Sequence, residues 1–332
     1  MSFPLYPLKF KPLYFPKPWG GQKLKSELGR DLPPHSRIGE SWEISDRGGD
    51  STPIINGEYA GLTLHSLIKK LGHRLLGEKS SGRSPARFPL LYKILDVEAL
   101  LSLQVHPSSD YSGLAQGEEG KTEFWYVLSA GPKAKVVSGL KEGVNRAELE
   151  KLIQNHHPEK AIREVPVRAG DGVFIPAGRV HTISPSCLIL EIQQNSNTTY
   201  RVSDWGRMGL NGHPRPLQVE SALEVINYDN SSSALVQPLS EKQGDNTISL
   251  LLICPYFTVE LLHLKESYSD ACRGSRFQVL SCLNGRGEIE PASSSPGRWL
   301  LEKGDFYLLP AYLGPYRLIP DGEMSVLKSY IS

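Results

Sequence analysis

The sequence predicts a mainly β protein built from two related β-units with a few short helices. Three observations carry that expectation. Short apolar runs bounded by turn residues recur along the chain. There are 31 glycines and 25 prolines among 332 residues, a turn-rich composition that favours many short strands over a helical bundle. Residues 169–177 (AGDGVFIPA) are echoed by residues 303–311 (KGDFYLLPA), each reading as turn, apolar strand, proline.

The elements follow in chain order. Residues 63–76 (TLHSLIKKLGHRLL) place Leu64, Leu67, Ile68, Leu71 and Leu75 at helical spacing, with Thr63 as cap and Gly77 as stop. Residues 101–106 (LSLQVH) alternate as a strand does: Leu101, Leu103 and Val105 face one way, Ser102, Gln104 and His106 the other. Residues 122–128 (TEFWYVL) are aromatic and β-branched, a strand composition. Residues 145–153 (NRAELEKLI) open on Asn145 with Glu148 three positions on, which starts a helix in the manner of a capping box. Residues 172–176 (GVFIP) and 187–192 (CLILEI) are short buried-type strands. Residues 216–226 (PLQVESALEVI) begin with a proline that the first helical turn tolerates and repeat Val219, Leu223 and Ile226. All three helices are expected to pack against a sheet. Residues 235–246 (LVQPLSEKQGDN) are polar without periodicity and predict a linker, beyond which residues 256–264 and 277–283 read as strands of the second unit.

Composition excludes several function classes. Lys and Arg number 37 against 36 Asp and Glu, a net charge of +1, which rules out a globally basic nucleic-acid binder and a polyacidic tail. The longest strongly apolar stretch, residues 248–254, falls far short of the roughly 20 residues of a membrane helix. The first fifteen residues carry prolines and no long apolar core, so they do not read as a signal peptide. Cys187, Cys254, Cys272 and Cys282 are scattered without a CxxC pair and read as buried thiols of a cytoplasmic protein. No glycine-rich phosphate loop is present, which argues against nucleotide chemistry.

Polar side chains inside apolar strands need a reason, because burying one unsatisfied costs about 1–3 kcal/mol. Gln104 and His106 share one strand face. Glu123 opens an aromatic strand. His181 follows 175–180 (IPAGRV) at the mouth of another. One amide oxygen, one carboxylate and two imidazoles form a four-donor nitrogen and oxygen set that suits Zn²⁺ or another divalent first-row metal and leaves room for water or substrate. The set has no thiolate, which argues against a closed structural zinc site. A core histidine and a solvated glutamate are the plainer readings of the same residues.

Several segments together resemble type I mannose-6-phosphate isomerase in its compact bacterial form. They are residues 88–96 (FPLLYKILD), 103–107 (LQVHP), 120–125 (GKTEFW), 175–182 (IPAGRVHT) and 200–206 (YRVSDWG), beginning near 18–21 (PWGG) and 39–43 (GESWE). The resemblance is strong to about Tyr228 and looser beyond. It implies tandem cupin (jelly-roll β-barrel) domains, an N-terminal catalytic one at 1–234 with helical insertions and a C-terminal metal-free one at 235–332. In the second, Pro310 is followed five residues on by Pro315, where the first has His181 after Pro176. It also implies one zinc per chain on Gln104, His106, Glu123 and His181, and interconversion of mannose 6-phosphate and fructose 6-phosphate through an enediol or enediolate.

The same resemblance makes Arg201 an active-site residue. A guanidinium is permanently charged and suits stabilisation of an enediolate or phosphate better than proton transfer. Lys121, two residues before Glu123, alternates to the same face and can orient substrate oxygens or assist proton transfer. His106, Lys121, a metal-bound hydroxide and Glu40 all stand as bases. Longer relatives carry an aspartate where this chain has Asn197, which puts an aspartate relay in doubt here. Ser108 and Ser109 offer hydroxyls to a phosphate, and Trp19 and Glu40 are further substrate-binding candidates. A sugar phosphate is the only partner expected, with no nucleic acid and no membrane. A cupin oxygenase using iron and a non-catalytic sugar-binding paralogue are the competing readings; the glutamine ligand counts against the first and the intact ligand set against the second.

Overall fold

The structure, a computed structural model, describes residues 4–34, 36–80, 87–229, 233–292 and 297–332. Two compact units alternate along the chain. A middle unit comprises Tyr14–Trp42 and Tyr92–Val236, and a terminal unit comprises Met1–Leu13, Glu43–Leu91 and Gln237–Ser332.

The middle unit is formed by two sheets, the build of a cupin jelly roll. A six-stranded sheet runs in the order Gly172–Ile175, Glu123–Ala130, Cys187–Gln194, Leu90–Val97, Leu13–Gly21, Ile38–Ile44. A five-stranded sheet runs Ile162–Pro166, Lys135–Leu140, His181–Ile183, Leu103–Val105, Tyr200–Ser203. Trp19, Leu95, Trp125, Val127, Val136, Ile183 and Ile189 form a buried cluster drawn from both. A second cluster joins Leu103, Val105, Val137 and Val202 of the five-stranded sheet to Leu149, Ala222 and Leu223 of the helices Arg146–Gln154 and Val219–Val225. Each such side chain stabilises by about 1.5–3 kcal/mol when fully buried. Since Leu103 and Val105 turn toward the helices, alternation turns Gln104 the other way.

The helix starts are partly as the sequence predicts. Asn145 accepts from the Glu148 amide at 3.0 Å, and Thr63 from the Ser66 amide at 3.2 Å. Residues 63–76 are two helices rather than one, Leu64–Leu71 and His73–Leu76. Gly72 between them has φ 53°, which a helix cannot continue through. The third helix begins at Val219, so Pro216 lies before it.

The terminal unit has a seven-stranded sheet ordered Leu8–Lys9, Phe306–Leu309, Gln278–Asn284, Met324–Ile331, Phe257–Leu264, Asn246–Ile253, Leu239–Gln243, and a four-stranded sheet ordered Tyr268–Cys272, Gly314–Pro320, Arg286–Pro291, Trp299–Glu302. Leu262, Leu280, Leu301, Leu318 and Val326 lie in its core. The expected linker is largely structured: Leu239–Gln243 pairs with Asn246–Ile253 across a turn at Gly244. All five residues of that strand are exposed, so neither face needed apolar side chains and no alternation marked it. The four cysteines are buried and free. No helix among the described residues is long and apolar enough to cross a membrane.

Candidate metal centre

Cross-strand register brings distant residues together in the middle unit. His181 stands opposite Gln104, and Gln104 opposite Arg201. A ligand atom from each of His106, Glu123 and His181 lies within 4.8 Å of the others, and all three residues are buried. His106 Nε2 is 3.2 Å from Glu123 Oε1, and His181 Nε2 is 3.8 Å from Glu123 Oε2. The Nδ1 atoms are engaged elsewhere. That of His106 meets the Thr198 carbonyl at 2.9 Å and that of His181 the Arg179 carbonyl at 2.8 Å. A carbonyl only accepts, so each Nδ1 carries the proton and each Nε2 turns a lone pair toward Glu123.

Gln104 completes the group. Its Nε2 is 3.2 Å from His181 Nε2, while its Oε1 accepts from Ser102 at 3.2 Å. A half-turn of the amide interchanges two atoms of similar size and aims the oxygen at the cluster instead. The cluster already draws a cation: Lys121 Nζ lies 2.6 Å from Glu123 Oε1 and 3.2 Å from His106 Nε2. Two imidazole lone pairs and a carboxylate, gathered where an ammonium also settles, fit a divalent ion.

Burial dominates the electrostatics. It pushes the His106 imidazole down, helped by Lys121, to about 3, and pushes His181 down as well, so both rings are neutral donors. Burial alone would raise the Glu123 carboxyl; the Lys121 ammonium outweighs it and holds it well below the usual range.

A second set of ion pairs adjoins the cluster. Trp125 Nε1 donates to Glu123 Oε2 at 3.2 Å and to Glu191 Oε1 at 3.1 Å. Lys93 Nζ lies 3.3 Å from Glu191 and 3.7 Å from Glu40. Lys17 Nζ is 3.0 Å from Glu40, whose other oxygen accepts from Trp42 Nε1 at 2.8 Å. Burial works against the Glu40 charge, but Lys93, Lys17 and Trp42 hold its carboxyl down at about 2. Lys93, buried between two carboxylates, is held charged above the usual lysine range. Sequence reading missed Lys93 and Glu191. The signal available was a lysine inside the eight-residue strand Leu90–Val97, every residue of which is buried.

A cavity of about 270 Å³ opens onto these groups. Gln104, Lys121, Arg201, Trp19, Glu40 and Asn197 line it, as do Lys93 and Glu191. Ser108 and Ser109 stand outside that lining. The Ser108 hydroxyl donates to Asp110, and Ser109 Oγ accepts from the Gly120 amide and Gln194 Nε2, each at 3.2 Å.

Residues 8–162 match the family described as phosphomannose isomerase type I, catalytic domain. The chain is 34% identical over 315 residues to the mannose-6-phosphate isomerase of Streptococcus mutans serotype c, covering 95% of each. The crystal structure of mannose 6-phosphate isomerase from Bacillus subtilis superposes with a TM-score of 0.86 at 30% identity, covering 97% of this chain and 99% of that one. A zinc-bound mannose 6-phosphate isomerase structure shares the fold, with a TM-score of 0.78 at 16% identity and coverage of 98% and 99%.

Proposed function

We propose that the chain, which belongs to the type I phosphomannose isomerase family and interconverts mannose 6-phosphate and fructose 6-phosphate, holds one zinc ion between Gln104, His106, Glu123 and His181. The observation that carries this is the convergence of two imidazole Nε2 atoms on one buried carboxylate beside a cation-lined cavity. When bound there, zinc would supply a Lewis acid for negative charge developing on the substrate's oxygens.

The remaining work falls to the chain. An aldose–ketose isomerisation removes a proton from C2 and returns one to C1, with negative charge building on oxygen between the two steps. The Thr198 and Arg179 carbonyls fix both imidazoles in one tautomer and orientation, so the donors need no rearrangement during reaction. Lys121 directs an ammonium into the cavity beside the ligands and orients the sugar's oxygens. Arg201 cannot give up its proton at working pH and stabilises negative charge on the substrate. Of the bases considered, His106 has its Nδ1 committed to Thr198, and Glu40 is held at about 2 by its cations and binds a proton weakly. Trp19, 3% exposed, lines the cavity. Ser108 and Ser109 shape their turn through the bonds they already make. Four buried free thiols fit a reducing, cytoplasmic setting.

The test is a coupled assay on mannose 6-phosphate with zinc-loaded, chelator-treated and zinc-restored protein. Turnover should vanish with chelator and return with zinc. No turnover by the zinc-loaded protein would leave a sugar-binding paralogue, and chelator-resistant turnover would dismiss the metal.

A further inference from the structure

Arg201 rides on Tyr200–Ser203, the edge strand of the five-stranded sheet, which pairs with the three-residue strand Leu103–Val105 alone among the described strands. The pairing is irregular. Tyr200 stands opposite Val105 and Arg201 opposite Gln104, but Ser203 stands opposite Leu103, so Val202 is an extra residue in the ladder, a β-bulge. Regular pairing would set Ser203 against Ser102 instead. In the observed register Arg201 lines the cavity and Val202 packs into the cluster under the outer helices. A slip of one residue turns side chains to the opposite face, and so short a ladder has few bonds to prevent it.

The turn that follows the strand supplies the missing restraint. The Arg207 amide donates to the Asp204 carbonyl at 3.0 Å, and both residues at the turn's centre have positive φ, 58° at Trp205 and 71° at Gly206. Glycine takes that conformation freely; a bulky L side chain does so only under strain that its surroundings must offset. Here the Trp205 ring packs on the cluster containing Leu103, Val105 and Val202, and its Nε1 donates to the Leu101 carbonyl at 2.7 Å. Arg207 Nη1 donates to the neighbouring Leu100 carbonyl. The Leu101 carbonyl also accepts from Thr182 Oγ1 at 2.8 Å, and the Leu101 amide donates to the Ile183 carbonyl at 3.0 Å. Leu101 is thus the knot joining the segments that carry Gln104, His181 and Arg201.

We propose that Trp205 is a positioning residue for the isomerisation: its indole N–H on Leu101 locks the bulge at Val202 and so holds Arg201 level with Gln104 at the cavity. The consequence for turnover rests on the isomerase and zinc readings above; the lock itself does not.

The experiment compares zinc-loaded wild-type and Trp205→Phe proteins. Phenylalanine keeps an aromatic ring in the cluster and lacks the donor. Misaiming Arg201 should lower kcat on mannose 6-phosphate by about 10- to 100-fold, with a smaller change in KM. Misaiming Gln104 should raise the zinc dissociation constant, read by competition with a chelator, by about 10-fold. Leu262→Ala, which thins the terminal unit's core, should lower the melting temperature and leave kcat and zinc affinity alone, so lost stability is not mistaken for lost aim. Should Trp205→Phe fail to fold, Trp205→Gly takes a φ of 58° without strain and must show the same two losses. Unchanged kcat or unchanged zinc affinity in a folded variant overturns the proposal. If the wild-type protein shows no turnover or binds no zinc, the reading of the site fails instead. Amide hydrogen exchange then decides the lock: exchange across residues 100–105 and 200–203 about 10-fold faster in Trp205→Phe supports it, and equal exchange overturns it.

Discussion

Val127 in the middle unit and Cys282 in the terminal unit occupy the same place in the same turn. The Gly170 amide donates to the Val127 carbonyl and the Val127 amide to the Asp171 carbonyl, both at 2.9 Å; Gly304, Cys282 and Asp305 repeat both bonds at 2.9 Å. The positive φ values match too, 94° at Gly170 and 87° at Gly304. Counting back four residues from each reaches Glu123, opposite Ile175, and Gln278, opposite Leu309. Counting forward six from those partners reaches His181, opposite Gln104, and Pro315, opposite Ala271. At those register positions the terminal unit carries a buried amide, an exposed proline and a half-buried methyl group where the middle unit carries a carboxylate, an imidazole and a glutamine. The charge beside the site is inverted as well. Glu191, opposite Trp125, meets Lys93; Lys328, opposite Leu280, meets Glu260 at 2.7 Å and Asp270 at 2.8 Å. One scaffold accepts either interior, so the backbone does not decide the chemistry.

The largest effect should come from giving the middle unit the terminal unit's residue. Glu123→Gln should lower zinc content, read by metal analysis, and reduce kcat/KM by more than about 100-fold, beyond the loss typical of a metal site's outer partners. Retention of zinc and turnover would mean that the two interiors differ for another reason. Next, Lys328→Met in the terminal unit strands Asp270 and Glu260 without their shared cation. Denaturant unfolding should show a loss of about 3 kcal/mol, while kcat/KM of the folded enzyme stays unchanged. An effect on turnover would show that this buried ion pair is more than structural. The smallest effect sharpens the likeness itself. Gly170→Ala and Gly304→Ala each force a side chain into positive φ and should cost about 1 kcal/mol apiece, the same in both units by thermal melting. A large disparity would break the equivalence of the two turns.

The four ligand candidates were legible because each breaks a local pattern. Gln104 and His106 make one strand face polar beside an apolar one, Glu123 opens an aromatic strand, and His181 stands at the mouth of another. Lys93 and Glu191 were not legible as a pair, since 98 residues separate them and only sheet register joins them. Arg215 sits in a loop rich in Gly and Pro, where an arginine raises no expectation, and its pairing with Asp204 beside Arg207 emerges only from the fold. The fold showed the same division. Amphipathic helices were visible in the sequence. The break at Gly72 and the exposed strand Leu239–Gln243 were not, because neither leaves an apolar trace.

The strand Leu103–Val105 is only three residues long, with a ligand candidate on its inner face and, behind it, two apolar side chains clasped by the outer helices. Surface engineering is therefore not confined to the surface in this molecule. A change made at Leu149 or Leu223 to tune the expression or solubility of a peripheral helix would loosen the keel on which Gln104 and His106 ride, and its first symptom would be a lower content of the zinc proposed there.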